Sequence, residues 1–362
     1  MHVNELLTFE KQFRQTQNKG AHVFKPFSIP VPNEPGLDMK GVWVERSDRF
    51  RGYRENEKMT KNQVVIHYTV GHIRSDIVTL TPPRPAGYPE NKNRFSVPFV
   101  IARDGTIYNL FHSGTWSYHL GRGTIGLGNG VLSRASIGIE LSNYGPLKMS
   151  PDRKSLETAY SRVLDKKTGK RSPVDVYCSI EDKDKYIHLE KAYRGFQYFA
   201  TCSDAQYESL IILCRYLTAV YDIPRKFLDE SQRYEATVAN TEFKGITSHV
   251  NYRPSGKSDM GPAFDWDRLI KGVQAARHSA SGRRPAGVGS AGAAALLGLA
   301  RASVQGNFQK FNNEDDMNKA FETTDPKLGG GPVVRSRSLG PDPEEDMEVE
   351  AGMDPLALES WD

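Results

Sequence analysis

The stretch Ser136-Ile137-Gly138-Ile139-Glu140-Leu141 predicts a β-strand with two unlike faces. Its three large apolar side chains alternate with Gly138, Glu140 and the serine that follows Leu141, and successive side chains of a strand point to opposite faces of a sheet. Glu140 therefore lies on the face opposite the apolar side chains. Its carboxylate either lines a cleft or, as an isolated residue, simply faces solvent.

Three other segments predict strands. The first runs from Gln63 to Thr69 between polar residues, and the other two, 97–103 and 106–111, flank the dipeptide Asp104-Gly105. Asp-Gly between two such runs is a strong hairpin signal, because both turn positions tolerate a positive φ. We therefore expect the second and third segments to pair as a hairpin.

Two segments predict helices. In the clearer one, 204–221, Ser203 serves as N-cap and Gln206 completes a capping box. The second begins at Pro262. Strands that alternate with helices predict an α/β fold, with a central mixed β-sheet flanked by helices.

Composition divides the 362 residues into one catalytic domain with extensions. Prolines keep the chain extended within 1–45, which we expect to lie over the domain as an N-terminal arm. The domain spans 46–277 and carries a long polar insertion at about 145–200, either a functional lid or a disordered excursion. Residues 278–362 combine a sequence rich in Gly, Ala and Ser with an acidic C-terminal end, and this composition predicts a mostly disordered tail.

Charge is distributed unevenly along the chain. Residues 276–362 hold nine basic and fourteen acidic residues, a net of −5, which leaves +9 on residues 1–275. A basic body favours polyanions such as nucleic acid, an anionic envelope polymer or a membrane surface, although solubility explains it equally well. Neither a dense basic run nor an aromatic-interleaved RNA-binding pattern is present, so we expect no nucleic-acid partner.

The cysteines and the N-terminus bear on location. Cys178, Cys202 and Cys214 form no CxxC pair, which predicts reduced thiols rather than a disulfide framework or a thiolate zinc site. The N-terminus shows no secretory signal, and no apolar stretch approaches the length of a membrane span. We expect a protein made in the cytoplasm that another agent carries to any site of action outside it.

Two histidines and an aspartate are candidates for a zinc site. His67, His249 and Asp259 offer the three ligands of a catalytic zinc, which leaves the fourth position to water. Such a site lowers the pKa of its water to about 7. Glu140 and Lys257 are the adjacent carboxylate and cation. Alone, a histidine such as His67 would be an ordinary core residue, Glu140 a solvent-facing strand residue and Lys257 a solvated loop charge. Only the ordered set of these residues favours catalysis.

Three motifs in this order are hard to obtain by chance. They are Phe99-Val100-Ile101-Ala102-Arg103-Asp104-Gly105-Thr106-Ile107-Tyr108, the strand that holds Glu140, and Lys257-Ser258-Asp259-Met260-Gly261-Pro262. The chain resembles the zinc-dependent N-acetylmuramoyl-L-alanine amidases (amidase type 2), which include muropeptide-recycling amidases, many phage endolysins and the peptidoglycan recognition proteins. The resemblance runs from about residue 64 to 266 and is interrupted by the insertion.

The resemblance implies a role for each candidate. It implies that His67 and His249 are the two zinc histidines and that Asp259 is the third ligand, at a position where members carry Asp or Cys. It also implies that Glu140 is the acidic residue that activates water and that Lys257 is the cation that stabilises the oxyanion.

The chain departs from the family pattern in the surroundings of these residues. Tyr68 stands where many members have a second histidine. Many members also carry a histidine at the position near Pro98, and this chain has none there. The family's Trp-His-Ala-Gly becomes Trp116-Ser117-Tyr118-His119-Leu120-Gly121, which shifts the histidine. His119, Tyr118 and Trp116 are therefore only candidate substrate contacts.

The expected function is hydrolysis of the amide between N-acetylmuramic acid and the L-alanine of the peptidoglycan stem peptide. A non-catalytic recognition module and a cytoplasmic recycling amidase are the alternatives. Recycling amidases are usually compact, so the extra length of this chain favours a lytic enzyme or a delivered antibacterial effector. An effector would have an immunity protein or a secretion-system component as partner.

Overall fold

The structure is a computed structural model that describes residues 22–46, 57–81, 95–165 and 168–275. It also describes shorter pieces: single residues between 2 and 10, and 18–19, 53–54, 309–310 and 312–313. Within the tail predicted to be disordered, Gln309–Lys310 pair in parallel with Phe27 and Ser28. The rest of that prediction, apart from residues 312–313, lies outside the described residues.

Nine strands form a central mixed sheet, which confirms the predicted fold class. Eight lie in the order β1-β2-β3-β6-β5-β7-β4-β13, and β14 pairs with β2. Their bounds are β1 Asn18–Lys19, β2 His22–Pro30, β3 Asp38–Arg46, β4 Gln63–Tyr68, β5 Phe99–Ile101, β6 Ile107–Asn109, β7 Ser136–Leu141, β13 Gly245–Ser248 and β14 Gln309–Lys310. The strand β4, next to the edge strand β13, is parallel to both neighbours, β7 and β13. The predicted hairpin is the antiparallel pair β5–β6, with Gly105 at φ +83° in its turn.

Helices lie on both sides of this sheet. In the described ranges they are α1 Ile73–Leu80, α2 Gly128–Ala135, α3 Asp204–Val220, α4 Val238–Thr241 and α5 Trp266–Gln274, with a 3₁₀ turn at His249–Asn251. The capping box of α3 is confirmed, since Ser203 Oγ accepts from the Gln206 amide and Gln206 Oε1 from the Ser203 amide. The second predicted helix begins at Trp266 rather than Pro262, because Asp265 is its N-cap. None of these helices is long and apolar enough to cross a membrane.

The main core lies between one face of the sheet and helices α3 and α5. The apolar row of β7 packs there with the buried stripe of α3, which includes Leu210, Leu213 and Leu217. The spacing of these leucines predicts that Val220 belongs to the same stripe, but Val220 is 40% exposed. Because this core takes one face of β7, its other face is left for Ser136, Gly138 and Glu140.

The predicted N-terminal arm contains two full strands of the sheet. Residues 22–46 form β2 and β3, which pair over nine residues, and β3 continues the sheet through β6. The prolines do keep the chain extended, but Phe27, Ile29 and Met39 are fully buried in the main core. Burial of each such side chain stabilises the fold by roughly 1.5–3 kcal/mol, which explains why the segment is integrated rather than laid over the surface.

The insertion is a folded antiparallel sheet, so it is not a disordered excursion. Its strand order is β10-β9-β8-β12-β11. The bounds are β8 Pro146–Met149, β9 Ser155–Thr158, β10 Val176–Ser179, β11 Tyr186–Tyr193 and β12 Phe196–Ala200. Its core of Leu147, Leu156 and Tyr177 is completed by Val3 and Leu6 from the N-terminus. We refer to residues 146–200 as the inserted sheet.

Candidate metal site

The two candidate histidines meet because adjacent parallel strands end together. His67 is the fifth residue of β4, and His249 directly follows β13, whose Ser248 is in register with Ile66. Both side chains are buried, and their Nδ1 atoms lie 2.9 Å apart. The register of two strands thus brings together residues 182 positions apart in sequence.

Asp259 closes the set from a loop. Its Oδ2 lies 2.9 Å from His249 Nδ1 and 3.4 Å from His67 Nδ1. The Asp259 carbonyl accepts from the Val250 amide at 2.8 Å, which folds the loop back onto the 3₁₀ turn. One ligand atom from each of the three residues lies within 4.8 Å of the others, and all three residues are buried. The predicted ligands are therefore placed together.

Hydrogen bonding fixes which nitrogen of His249 is free. Its Nε2 lies 2.8 Å from the carbonyl oxygen of Leu120, which can only accept, so Nε2 carries the proton. In the neutral ring, Nδ1 then presents a lone pair to the site. A backbone carbonyl on the outer nitrogen is the usual way in which a metal-binding histidine is held.

A relay of hydrogen bonds fixes His67 in the same way. The Ser136 hydroxyl donates to the Leu132 carbonyl at 2.6 Å, so its oxygen must accept from His119 Nε2 at 2.9 Å. His119 Nδ1 is then an acceptor, and the Nε2–H of His67 donates a hydrogen bond to it at 3.1 Å. His67 is left with its Nδ1 lone pair directed at the site.

The donor set fits a metal cation. Two imidazole lone pairs 2.9 Å apart repel each other unless a positive charge lies between them, and the Asp259 carboxylate adds a negative charge beside them. Burial and the nearby His249 lower the pKa of His67 to about 4, which keeps it neutral. Although burial opposes it, the neighbouring His249, His67 and Lys257 hold the pKa of Asp259 well below its usual range. Neutral imidazole and ionised carboxylate are the forms that bind metal.

Glu140 stands beside the ligands on the same face of the sheet. It is in register with His67 on the neighbouring strand, as period two predicts. Its Oε2 is buried, with no hydrogen-bond partner among the residues that the structure describes. Burial and the negative charge of Asp259 raise the pKa of Glu140 well above its usual range. Within the described residues, Oε2 is thus available for proton transfer rather than held in a structural hydrogen bond.

Lys257 lies on the same loop as Asp259, two residues earlier. It is half-buried, and its positive charge acts on Asp259 and Glu140, lowering the pKa of each. Next to Lys257 in the loop, Ser258 Oγ forms a hydrogen bond with the Tyr68 hydroxyl. Tyr68, which stands where many family members have histidine, thus supports the loop from the end of β4.

The three predicted substrate contacts behave differently. Trp116 is buried in the interior, 2% exposed, and donates its indole N–H to Glu57 at 2.9 Å, and its contact with substrate stays a prediction. His119 has both ring nitrogens engaged by His67 and Ser136, which makes it a support of the ligand, and its contact with substrate stays a prediction. Tyr118 is half-buried, and its contact with substrate stays a prediction.

Sequence reasoning missed Ser136 and the purpose of Gly138. A Cβ atom at Gly138 would lie 2.6 Å from Cγ1 of Val97 and 3.1 Å from Cγ and Nδ1 of His119, so the glycine makes room for both side chains. Ser136, Gly138 and Glu140 share one face of β7. The alternation that located Glu140 therefore also carried the signal for these two.

We expect His119→Ala to weaken zinc binding by roughly 10- to 100-fold while the fold is retained, because outer hydrogen-bond partners of metal ligands have effects of that size. His119→Gln offers an acceptor oxygen to His67 Nε2 and should recover part of the loss. Competition with a chelating dye measures the affinity, and Tyr118→Phe is the control. Equal affinities for the Ala variant and the wild type would contradict the relay.

A buried His-His-Asp set beside a free carboxylate, at one edge of a mixed α/β sheet, is typical of metal-dependent hydrolases. Residues 57–262 match the profile of the N-acetylmuramoyl-L-alanine amidase family. This is more than half of the chain, and the chain therefore belongs to that family. The predicted family and its amidase activity are confirmed at this level.

Solved structures that match part of the chain include three amidases. A selenomethionine derivative of AmpD is 18% identical, with 62% of this chain and 91% of that chain covered and a TM-score of 0.34. AmiD from E. coli, solved with anhydro-N-acetylmuramic acid-L-Ala-D-gamma-Glu-L-Lys, is 18% identical, with 78% and 82% covered and a TM-score of 0.36. The endolysin amidase LysCS from Clostridium intestinale URNW is 15% identical, with 63% and 91% covered and a TM-score of 0.32. No protein with a curated description matches the chain.

Proposed function

We propose that this protein is a zinc-dependent amidase that hydrolyses the bond between the lactyl group of N-acetylmuramic acid and the L-alanine of the stem peptide. The observation that carries the proposal is the convergence of His67, His249 and Asp259, with both histidines held in the tautomer that presents Nδ1. Two nitrogens and one carboxylate oxygen are a catalytic ligand set for zinc. When bound there, zinc would acidify a water molecule and polarise the scissile carbonyl.

Glu140 is proposed as the general base and then the general acid. Its position in register with His67 places it beside the ligands, and its buried oxygen makes no competing hydrogen bond among the described residues. It would take the proton of the attacking water and return it to the departing amine of L-alanine. The raised pKa suits a group that must hold a proton between these two steps.

Lys257 is proposed to stabilise the oxyanion that develops on the carbonyl oxygen. It reaches the site from the same loop as Asp259, and its charge already acts on both carboxyl groups there. A fixed cation or donor of this kind contributes about 3 kcal/mol to transition-state stabilisation.

Digestion of purified sacculi, followed by mass analysis of the soluble products, tests the proposed reaction. We expect free stem peptides that begin at L-alanine and intact glycan strands without peptides. Cut glycan strands or cut peptide cross-links would contradict the proposal. Sacculus binding without any release would point to a non-catalytic recognition module, against which the complete ligand set argues.

We further propose that the protein acts on the intact wall, as a lytic enzyme or an antibacterial effector, after synthesis in the cytoplasm. The support is the inserted sheet, whose β11–β12 hairpin contacts the loop of the candidate site. An effector would have an immunity protein or a secretion-system component as partner. Toxicity on periplasmic targeting in a bacterial host supports this role, whereas activity on soluble muropeptides alone would favour recycling.

A further inference from the structure

The hairpin of β11 and β12 in the inserted sheet reaches back to the loop that carries Lys257 and Asp259. Tyr193 ends β11 and pairs with Phe196 at the start of β12, which leaves Arg194 and Gly195 as a two-residue turn. Both turn residues have positive φ, +48° and +89°. This is the pattern of a type I′ turn, and it aims the Arg194 side chain beyond the end of the sheet.

The Arg194 guanidinium binds the backbone of that loop. Nη1 donates to the carbonyl of Lys257 at 2.6 Å and to that of Arg253 at 2.9 Å, and Nη2 lies 3.5 Å from the carbonyl of Val250. Hydrogen bonds from a charged donor are about twice as strong as neutral ones. One side chain thus joins three carbonyls along a segment that lies between His249 and Asp259.

The loop has little other regular structure to hold it. Between the 3₁₀ turn and α5 it forms neither helix nor strand, and Pro254, Ser255 and Gly256 are exposed. Tyr193 adds a second contact, since its ring packs so closely on Gly261 that a Cβ atom there would collide with it. The hairpin therefore holds the loop before and after Asp259.

We propose that Arg194 is a positioning residue, through which the inserted sheet fixes the loop so that Asp259 and Lys257 stand ready beside His67 and His249. The proposal rests on the proposed zinc site. The inserted sheet would then support the amidase reaction by holding the loop in place. A mobile loop would lose conformational entropy when the metal binds, and this loss would weaken metal binding.

The test compares full-length Arg194→Ala and Arg194→Lys with Lys191→Ala, which removes an exposed cation from the preceding strand β11. Amide hydrogen exchange of the metal-free proteins is the first measurement. In Arg194→Ala we expect faster exchange confined to residues 250–258, an intermediate effect in Arg194→Lys, and none in the control. This measurement does not depend on zinc or activity, so it stays informative if the proposed function fails.

Zinc affinity and kinetics are the second measurement. We expect Arg194→Ala to bind zinc roughly 10- to 100-fold more weakly, as for other outer supports of metal ligands. With zinc saturating, kcat should fall while KM stays within about twofold, since the Lys257 charge matters most in the transition state. Unchanged loop exchange, or faster exchange with unchanged zinc affinity and kcat, would overturn the proposal. If the Ala variant does not fold, Arg194→Lys decides by the same criteria.

Discussion

Asp259→Ala should leave the protein folded but without zinc, and its kcat/KM on peptidoglycan should fall by at least about a thousandfold. Loss of metal removes several kcal/mol of transition-state stabilisation, and each 1.36 kcal/mol is a factor of ten. The substitution also leaves His67 and His249 with facing lone pairs and no carboxylate beside them. Metal content of the purified protein and release of stem peptides are the measurements.

Asp259→Cys is the matched control for this prediction. A thiolate is a good zinc ligand, and members of the family carry either Asp or Cys here. We therefore expect the Cys variant to keep stoichiometric zinc and a large part of the activity. His67→Ala should reproduce the loss, because it removes another of the three ligands. Zinc and turnover that survive in both Ala variants, and in the presence of a chelator, would show that the metal site is assigned wrongly.

Local patterns predicted the elements that are determined locally. The β7 strand, the hairpin turn at Gly105 and the capping box of α3 each follow from a few adjacent residues, and all three are present. The placement of Glu140 follows from the same logic, because period two is a property of any strand. The ligand set could be predicted because the order of its motifs resembles a family.

The inserted sheet could not be predicted in this way. Its segment is rich in charge, and its small core depends on Val3 and Leu6, about 140 positions earlier in the chain. No window within 146–200 contains those two residues. The same holds for His119, whose role depends on the strand register and on the space above Gly138, and for Arg194, whose acceptors lie more than 50 positions away. Contacts between distant segments decide these features.

Glu140→Gln should separate proton transfer from metal binding. The substitution keeps the shape of the side chain but cannot accept and return a proton, so we expect kcat to fall about 10²- to 10⁴-fold, the range of general acid–base catalysis. Zinc content and KM should stay near wild type, because Glu140 is not among the three converging ligands. Glu157→Gln, at a buried carboxylate of the inserted sheet held by Arg162 and Ser161, is the control and should leave kcat unchanged.

Stability gives an independent check on the same variant. A buried carboxylate oxygen without a hydrogen-bond partner among the described residues costs more free energy in its charged form than a neutral amide does. The free energy of unfolding of metal-free Glu140→Gln should therefore be no lower than that of the wild type, whereas Glu157→Gln should lower it by breaking an ion pair. A stable, zinc-loaded and inactive Gln variant is the result that a catalytic carboxylate requires. Full activity in that variant would show that another group moves the proton.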